Sequence, residues 1–226
     1  MEFKIRGESM QTLDVILQKG DSLYTEGGGM GWMSTNIKME TNTKGGVGKA
    51  FGRLLSGESF FMNTYSCEDG QGMISFPSEF PGKIVPIQLD GTKTIIAQKD
   101  AFMVAQETVN LDIKFNKKLG AGFFGGEGFI LQKISGTGYV FLEICGDLIE
   151  INLEEGQTLK IDPGHIAYFE DTVTYDIAAV KGVKNMLFGG EGLFLATLSG
   201  PGKICLQTMP IAKLAYKISS TLGRKH

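Results

Sequence analysis

Lys44-Gly-Gly-Val-Gly-Lys49-Ala50 is the stretch whose residue types come nearest to chemistry. A phosphate-binding loop uses glycines to bring backbone N–H groups to the phosphates, a lysine to meet the β/γ-phosphates, and a Ser or Thr hydroxyl to hold Mg²⁺. Lys44 and Lys49 fit a deviant form of that motif, but its hydroxyl position is Ala50, which has no oxygen for a metal. Such a loop also succeeds a buried apolar strand and opens a helix. Here a polar segment, Asn36–Thr43, precedes it, and Gly52 and Gly57 interrupt the residues on its C-terminal side. The stretch therefore reads as a glycine-rich mobile loop between β elements. Phe51, Leu54 and Leu55 beside Lys44, Lys49 and Arg53 also make a short basic-apolar segment of a kind that can lie on a membrane surface. The glycines favour its folding back on the body or onto a partner subunit.

Other catalytic constellations are thin. The only histidines are His165 and the terminal His226. His165 closes the tight turn Asp162-Pro-Gly-His165 and reads as an exposed turn residue rather than a general base or ligand. Ser56-Gly-Glu-Ser59 is not a G-x-S-x-G elbow and has no assignable Asp or His partner. Cys67, Cys145 and Cys205 are odd in number and lack the paired spacing of a zinc site, so they read as small hydrophobes in a reducing cytoplasm. No cofactor, catalytic residue or metal ligand is assigned.

These residues must be positioned by a β framework. The chain has 226 residues, 42% of them hydrophobic, enough for a sizeable core. Its 32 glycines against 6 prolines imply many tight turns. A net charge of −3 with scattered Lys and Arg offers no surface for neutralising phosphates, so no nucleic acid is expected as a partner. Neither a signal-peptide core nor an apolar run of about 18 residues stands out.

Internal repetition is the strongest signal. Phe123-Phe-Gly-Gly-Glu-Gly-Phe129 returns as Leu187-Phe-Gly-Gly-Glu-Gly-Leu193, and Leu54-Leu-Ser-Gly-Glu-Ser-Phe60 is a degenerate third copy. Gly57-Glu58, Gly126-Glu127 and Gly190-Glu191 are thus equivalent, each ahead of an apolar run of strand type. Converging carboxylates could bind a cation, but a glutamate after glycine at a strand start also serves by accepting backbone N–H bonds in a turn. A second element recurs over residues 20–39, 91–113 and 156–177, with turns at Gly28, Lys99-Asp100 and Pro163-Gly164. Alternating strands precede it at Leu13–Leu17, Ile84–Leu89 and Ile149–Leu153. The reading is an all-β body, residues 1–206, of three repeats (about 1–66, 67–136 and 137–206) packed about a pseudo-threefold axis as sandwiches or a β-prism-like body. Ile211, Leu214, Ala215, Ile218 and Leu222 then recur at helical spacing in a tail, 207–226, with Pro210 suited to a first helical turn. The helix is expected to cover the β body or to reach a neighbouring subunit.

Met33-Ser-Thr-Asn-Ile-Lys-Met-Glu40, the glycine-rich loop, Leu55-Ser-Gly-Glu-Ser-Phe-Phe-Met-Asn-Thr-Tyr65 and Gly125-Gly-Glu-Gly128 together resemble an uncharacterised bacterial and archaeal family. It is related to the mitochondrial-biogenesis proteins named for altered inheritance of mitochondria. The resemblance covers nearly the whole chain. It implies a fold like the tryptophan RNA-binding attenuation protein, with β units in a sandwich or double-stranded β-helix arrangement, and a variable loop at 44–50. It implies no catalytic residues, and likeness of fold brings no RNA binding with it. The function expected is a non-enzymatic, cytoplasmic, homo-oligomeric scaffold or interaction protein whose oligomerisation would cover β edges. The alternatives are a small-ligand or metal-binding module and a peripheral membrane-associated factor.

Overall fold

The computed structural model describes residues 1–42, 62–117, 129–179 and 194–222. Among them are eighteen strands and one α-helix. Strands β1 (Glu2–Arg6), β2 (Thr12–Gln18), β3 (Ser22–Glu26), β4 (Trp32–Met33), β5 (Ile37–Asn42), β6 (Met62–Cys67) and β7 (Gln71–Pro77) come first. Next are β8 (Gly82–Asp90), β9 (Ile95–Gln98), β10 (Phe102–Gln106), β11 (Val109–Lys117) and β12 (Phe129–Cys145). After these come β13 (Leu148–Leu153), β14 (Thr158–Ile161), β15 (Ile166–Glu170), β16 (Thr174–Ala179), β17 (Phe194–Ser199) and β18 (Gly202–Gln207). Helix α1 (Ile211–Leu222) closes the described chain. The all-β class read from the sequence holds.

All pairings among the described strands are antiparallel. β2 pairs with β7, β8 with the second half of β12, and β13 with β18. β3 pairs with β6, β9 with the first half of β12, and β14 with β17. β4 joins β7, β10 joins β12, and β15 joins β18. β5, β11 and β16 lie against β6, β12 and β17. Two further ladders, β10 with β3 and β15 with β9, link these groups sideways.

Period-2 alternation decides which side chains enter the interior. On β2, Leu13, Val15 and Leu17 are fully buried. The buried side chains fall into three clusters, each drawn mainly from one consecutive stretch of chain. One holds Leu13, Leu23, Ile37, Tyr65 and Phe76. The next holds Ile87, Ile95, Val109, Ile134 and Leu142. The last holds Leu153, Ile161, Ile177, Leu198 and Ile204. The limits set at 66/67, 136/137 and 206/207 fall inside β6, β12 and β18, so these strands run on across them.

The 17-residue β12 turns a corner without a loop. Gly136 and Gly138 take φ of +102° and +110°, a region that side chains with a Cβ rarely adopt. A Cβ on Gly136 would also collide with the Thr108 carbonyl oxygen. Gly136→Ala is therefore expected to cost about 2 kcal/mol. The check is a urea titration in which the midpoint falls while the slope stays constant.

Helix α1 stands where the helical spacing of the tail placed it. Pro210 sits just ahead of it, its carbonyl accepting the N–H groups of Lys213 (3.0 Å) and Leu214 (3.2 Å). Among its described side chains, Ile211, Ala212 and Leu214 are half-buried, while Ala215, Lys217, Ile218 and Ser219 are exposed.

Candidate functional site

One network of buried and half-buried polar groups lies where β12 and β18 end beneath α1. Gln207, at the end of β18, is buried and meets three partners. Its Oε1 accepts the Cys145 N–H (3.1 Å), and its Nε2 donates to Gln98 Oε1 (3.2 Å) and to the Gly164 carbonyl (2.9 Å). A buried amide with both ends engaged fixes the position of everything bonded to it.

The turn Pro163–His165 is held from the same point. Asp162 caps it, with Oδ1 accepting the Gly164 N–H at 3.1 Å. His165 Nδ1 lies 2.8 Å from the Gln207 carbonyl oxygen, which can only accept, so Nδ1 carries the hydrogen. Nε2 is then the acceptor for Lys213 Nζ of α1 at 3.1 Å. The same ammonium pairs with Asp162 Oδ2 at 2.9 Å. Lys213 thus ties the helix to the turn. His165 is half-buried with both ring nitrogens engaged, and the exposed turn residue expected from the sequence is corrected accordingly.

Beside this network lies a cavity of about 330 Å³. Cys145, Gln98 and Gln207 lie on its inner side, and Asp100 stands on its exposed rim. Burial, with the charges of Glu143 and Asp100 added, pushes the Cys145 thiol up to about 12, so it stays protonated and unreactive near neutral pH. All three cysteines are buried and unbridged. Among the described residues no cluster of three or more His, Cys, Asp or Glu is placed to hold a metal.

Gly57, Glu58, Gly126, Glu127, Gly190 and Glu191, and the loop residues Lys44, Lys49, Phe51 and Arg53, lie outside the described residues. Of the residues singled out in the sequence, the structure brings His165 and Cys145 to one corner. Sequence reasoning missed Gln98, Gln207 and Lys213. The one usable signal was the Asp-Pro-Gly-His turn ahead of a helix carrying a lysine in its first turn.

Glu143 repeats part of this arrangement one strand group earlier. It pairs with Ile84 of β8 as Gln207 pairs with Leu148 of β13. Its Oε1 accepts the Phe80 N–H at 3.0 Å, as Gln207 accepts that of Cys145. Both side chains are buried, but one is a carboxylate. Burial, and secondarily the neighbouring Glu79, raise the Glu143 pKa above the usual carboxylate range, against the opposing hydrogen bond from Phe80. At pH below about 4 the residue is protonated in folded and unfolded chains and contributes nothing. As pH rises, the unfolded chain ionises first, and the folded state loses stability through the raised value. Glu143→Gln, which keeps the acceptor, is expected to raise the thermal midpoint at pH 7, with the gain vanishing near pH 4. A gain equal at both pH values would sink this account.

A family model described as mitochondrial biogenesis AIM24 matches residues 3–209. An uncharacterised protein of Streptococcus pyogenes serotype M6 is 29% identical over 224 residues, which cover 95% of this chain and 88% of that protein. The crystal structure of a Streptococcus pyogenes protein superposes with a TM-score of 0.78 at 25% identity, covering 97% of this chain and 99% of that one.

Proposed function

The chain belongs to the mitochondrial biogenesis AIM24 family, and on that premise we propose that it is a non-enzymatic scaffold or interaction protein acting as a homo-oligomer. The observation that carries this reading is the exposure of large apolar side chains on strands that end their sheets. Trp32 on β4 and Met39 on β5 are each 47% exposed. A tryptophan exposed at a sheet margin is the residue type that most often anchors a contact between proteins.

In this reading the body is three copies of one six-strand unit about a pseudo-threefold axis. Its support is the threefold recurrence of the same four pairings, with a core cluster to each. Any likeness to the tryptophan RNA-binding attenuation protein is one of fold, and a net charge of −3 speaks against RNA as a partner. Three buried, unbridged thiols support a cytoplasmic setting. No helix among the described residues is long and apolar enough to cross a membrane.

Light scattering is the test. A closed oligomer is expected, and Trp32→Glu should shift it towards monomer. Trp32 is the sole tryptophan, so its emission should move to the blue as the protein concentrates into the oligomer. A wild-type monomer at every concentration, with emission unchanged, would overturn the oligomeric reading.

A further inference from the structure

We propose that α1 is a lid over the cavity at the end of β12, latched by Lys213 and hinged at Met209–Pro210. Just ahead of the hinge, Thr208 and Met209 donate their N–H groups to the carbonyls of Asp147 and Cys145, each at 3.1 Å. Pro210 has no N–H, so the ladder stops there and the chain leaves the sheet. Rotation about the Met209 Cα–C bond swings the helix and breaks no strand pairing.

The two walls of the cavity are held differently. On the body side, Gln207 is fixed by hydrogen bonds to Cys145, Gln98 and Gly164. Cys145 ends β12 and Gln98 ends β9, so this wall is carried by paired strands. The opposite wall is Pro210, Ile211, Ala212 and Ala215. Ile211 and Ala212 are half-buried and Ala215 is exposed, so burial gives the helix a modest hold. A helix of 12 residues is marginal by itself in water, so α1 depends on its contacts with the body.

Lys213 supplies a directed contact. Its ammonium pairs with Asp162 Oδ2 at 2.9 Å and donates to His165 Nε2 at 3.1 Å. The Asp162 side chain is 12% exposed and that of Lys213 is 48% exposed. The carboxylate therefore stays in place, capped on the Gly164 N–H, while water can replace it around the lysine as the helix moves away. Lifting α1 removes one wall of the cavity and brings Cys145 and Ala101 to solvent. The body wall keeps its shape, and the cavity of about 330 Å³ becomes an open cup.

The experiment reads opening at Cys145 in the full chain. Labelling by N-ethylmaleimide is followed by peptide mass spectrometry, with the buried Cys67 and Cys205 as internal controls. Hydrogen exchange of residues 211–222 is followed in parallel. In wild-type protein Cys145 should label ahead of Cys67 and Cys205, and α1 should exchange ahead of β18. Lys213→Met should speed Cys145 labelling and α1 exchange about fivefold and leave the other two thiols unchanged. Asp162→Asn keeps the acceptor for Gly164 and should have the same effect, with the double variant no faster than either single one. The proposal fails if neither substitution changes α1 exchange, if their effects add, if all three thiols accelerate together, or if the wild-type helix exchanges no faster than β18. The last comparison does not depend on either variant folding.

Discussion

Hydrogen bonding on both edges of β12 is the constraint on which the β body depends. Its first half lies between β11 and β9, and its second half between β8 and β10. β9 carries the ladder on to β15 and β10 carries it to β3. Every sideways link among the described strand groups therefore runs through a neighbour of this strand. A slip of one residue would exchange Phe129, Leu131, Val140 and Leu142 with Ile130, Gln132, Phe141 and Glu143 between its two buried faces, mismatching the packing on both halves at once. The corner at Gly136 and Gly138 lets one strand serve two sheets while keeping both registers.

The corner beneath α1 depends on that strand in turn. Cys145 ends β12, and its N–H is the group that Gln207 accepts. Gln207 then orients Gln98 and, through its own carbonyl, His165. His165 and Asp162 fix the lysine that holds the helix. The chain of contacts runs from backbone ladder to side-chain amide to ion pair, each step more exposed than the last. Local opening is easiest at its outer end, where few apolar contacts resist it.

Much of the framework was legible because strands and helices write their periods into the sequence. Leu13, Val15 and Leu17 alternate, and they are buried. Ile211, Leu214, Ala215 and Ile218 recur at helical spacing, and the helix is there. The recurring turns at Gly28, Lys99-Asp100 and Pro163-Gly164 separate β3 from β4, β9 from β10 and β14 from β15. Alternation misled at Ile149, which is 46% exposed although it stands in phase with Ile151 and Leu153. The corner network was not legible. Gln98 and Gln207 are 109 residues apart, and a glutamine at a strand end carries no spacing signal. Gln132 on β12 is fully buried although its amide finds no partner, which no reading of polarity would place inside. Glu143 looks like a surface residue in the sequence and becomes buried because β12 passes through the middle of the body.

The sheet margins have a consequence for a chain made so largely of strands. β4 is two residues long. β5 carries the Lys38–Glu40 ion pair at 2.8 Å, and β13 carries Glu150, paired with Lys203 of β18 at 3.3 Å. β8 has Pro86, whose missing N–H interrupts any further ladder, and β14 has Lys160. A fresh strand laid against any of these margins would meet a charge, a proline or too short a template. The same features raise the barrier to templated cross-β growth at these described margins, so fibril extension is opposed there by the rims themselves.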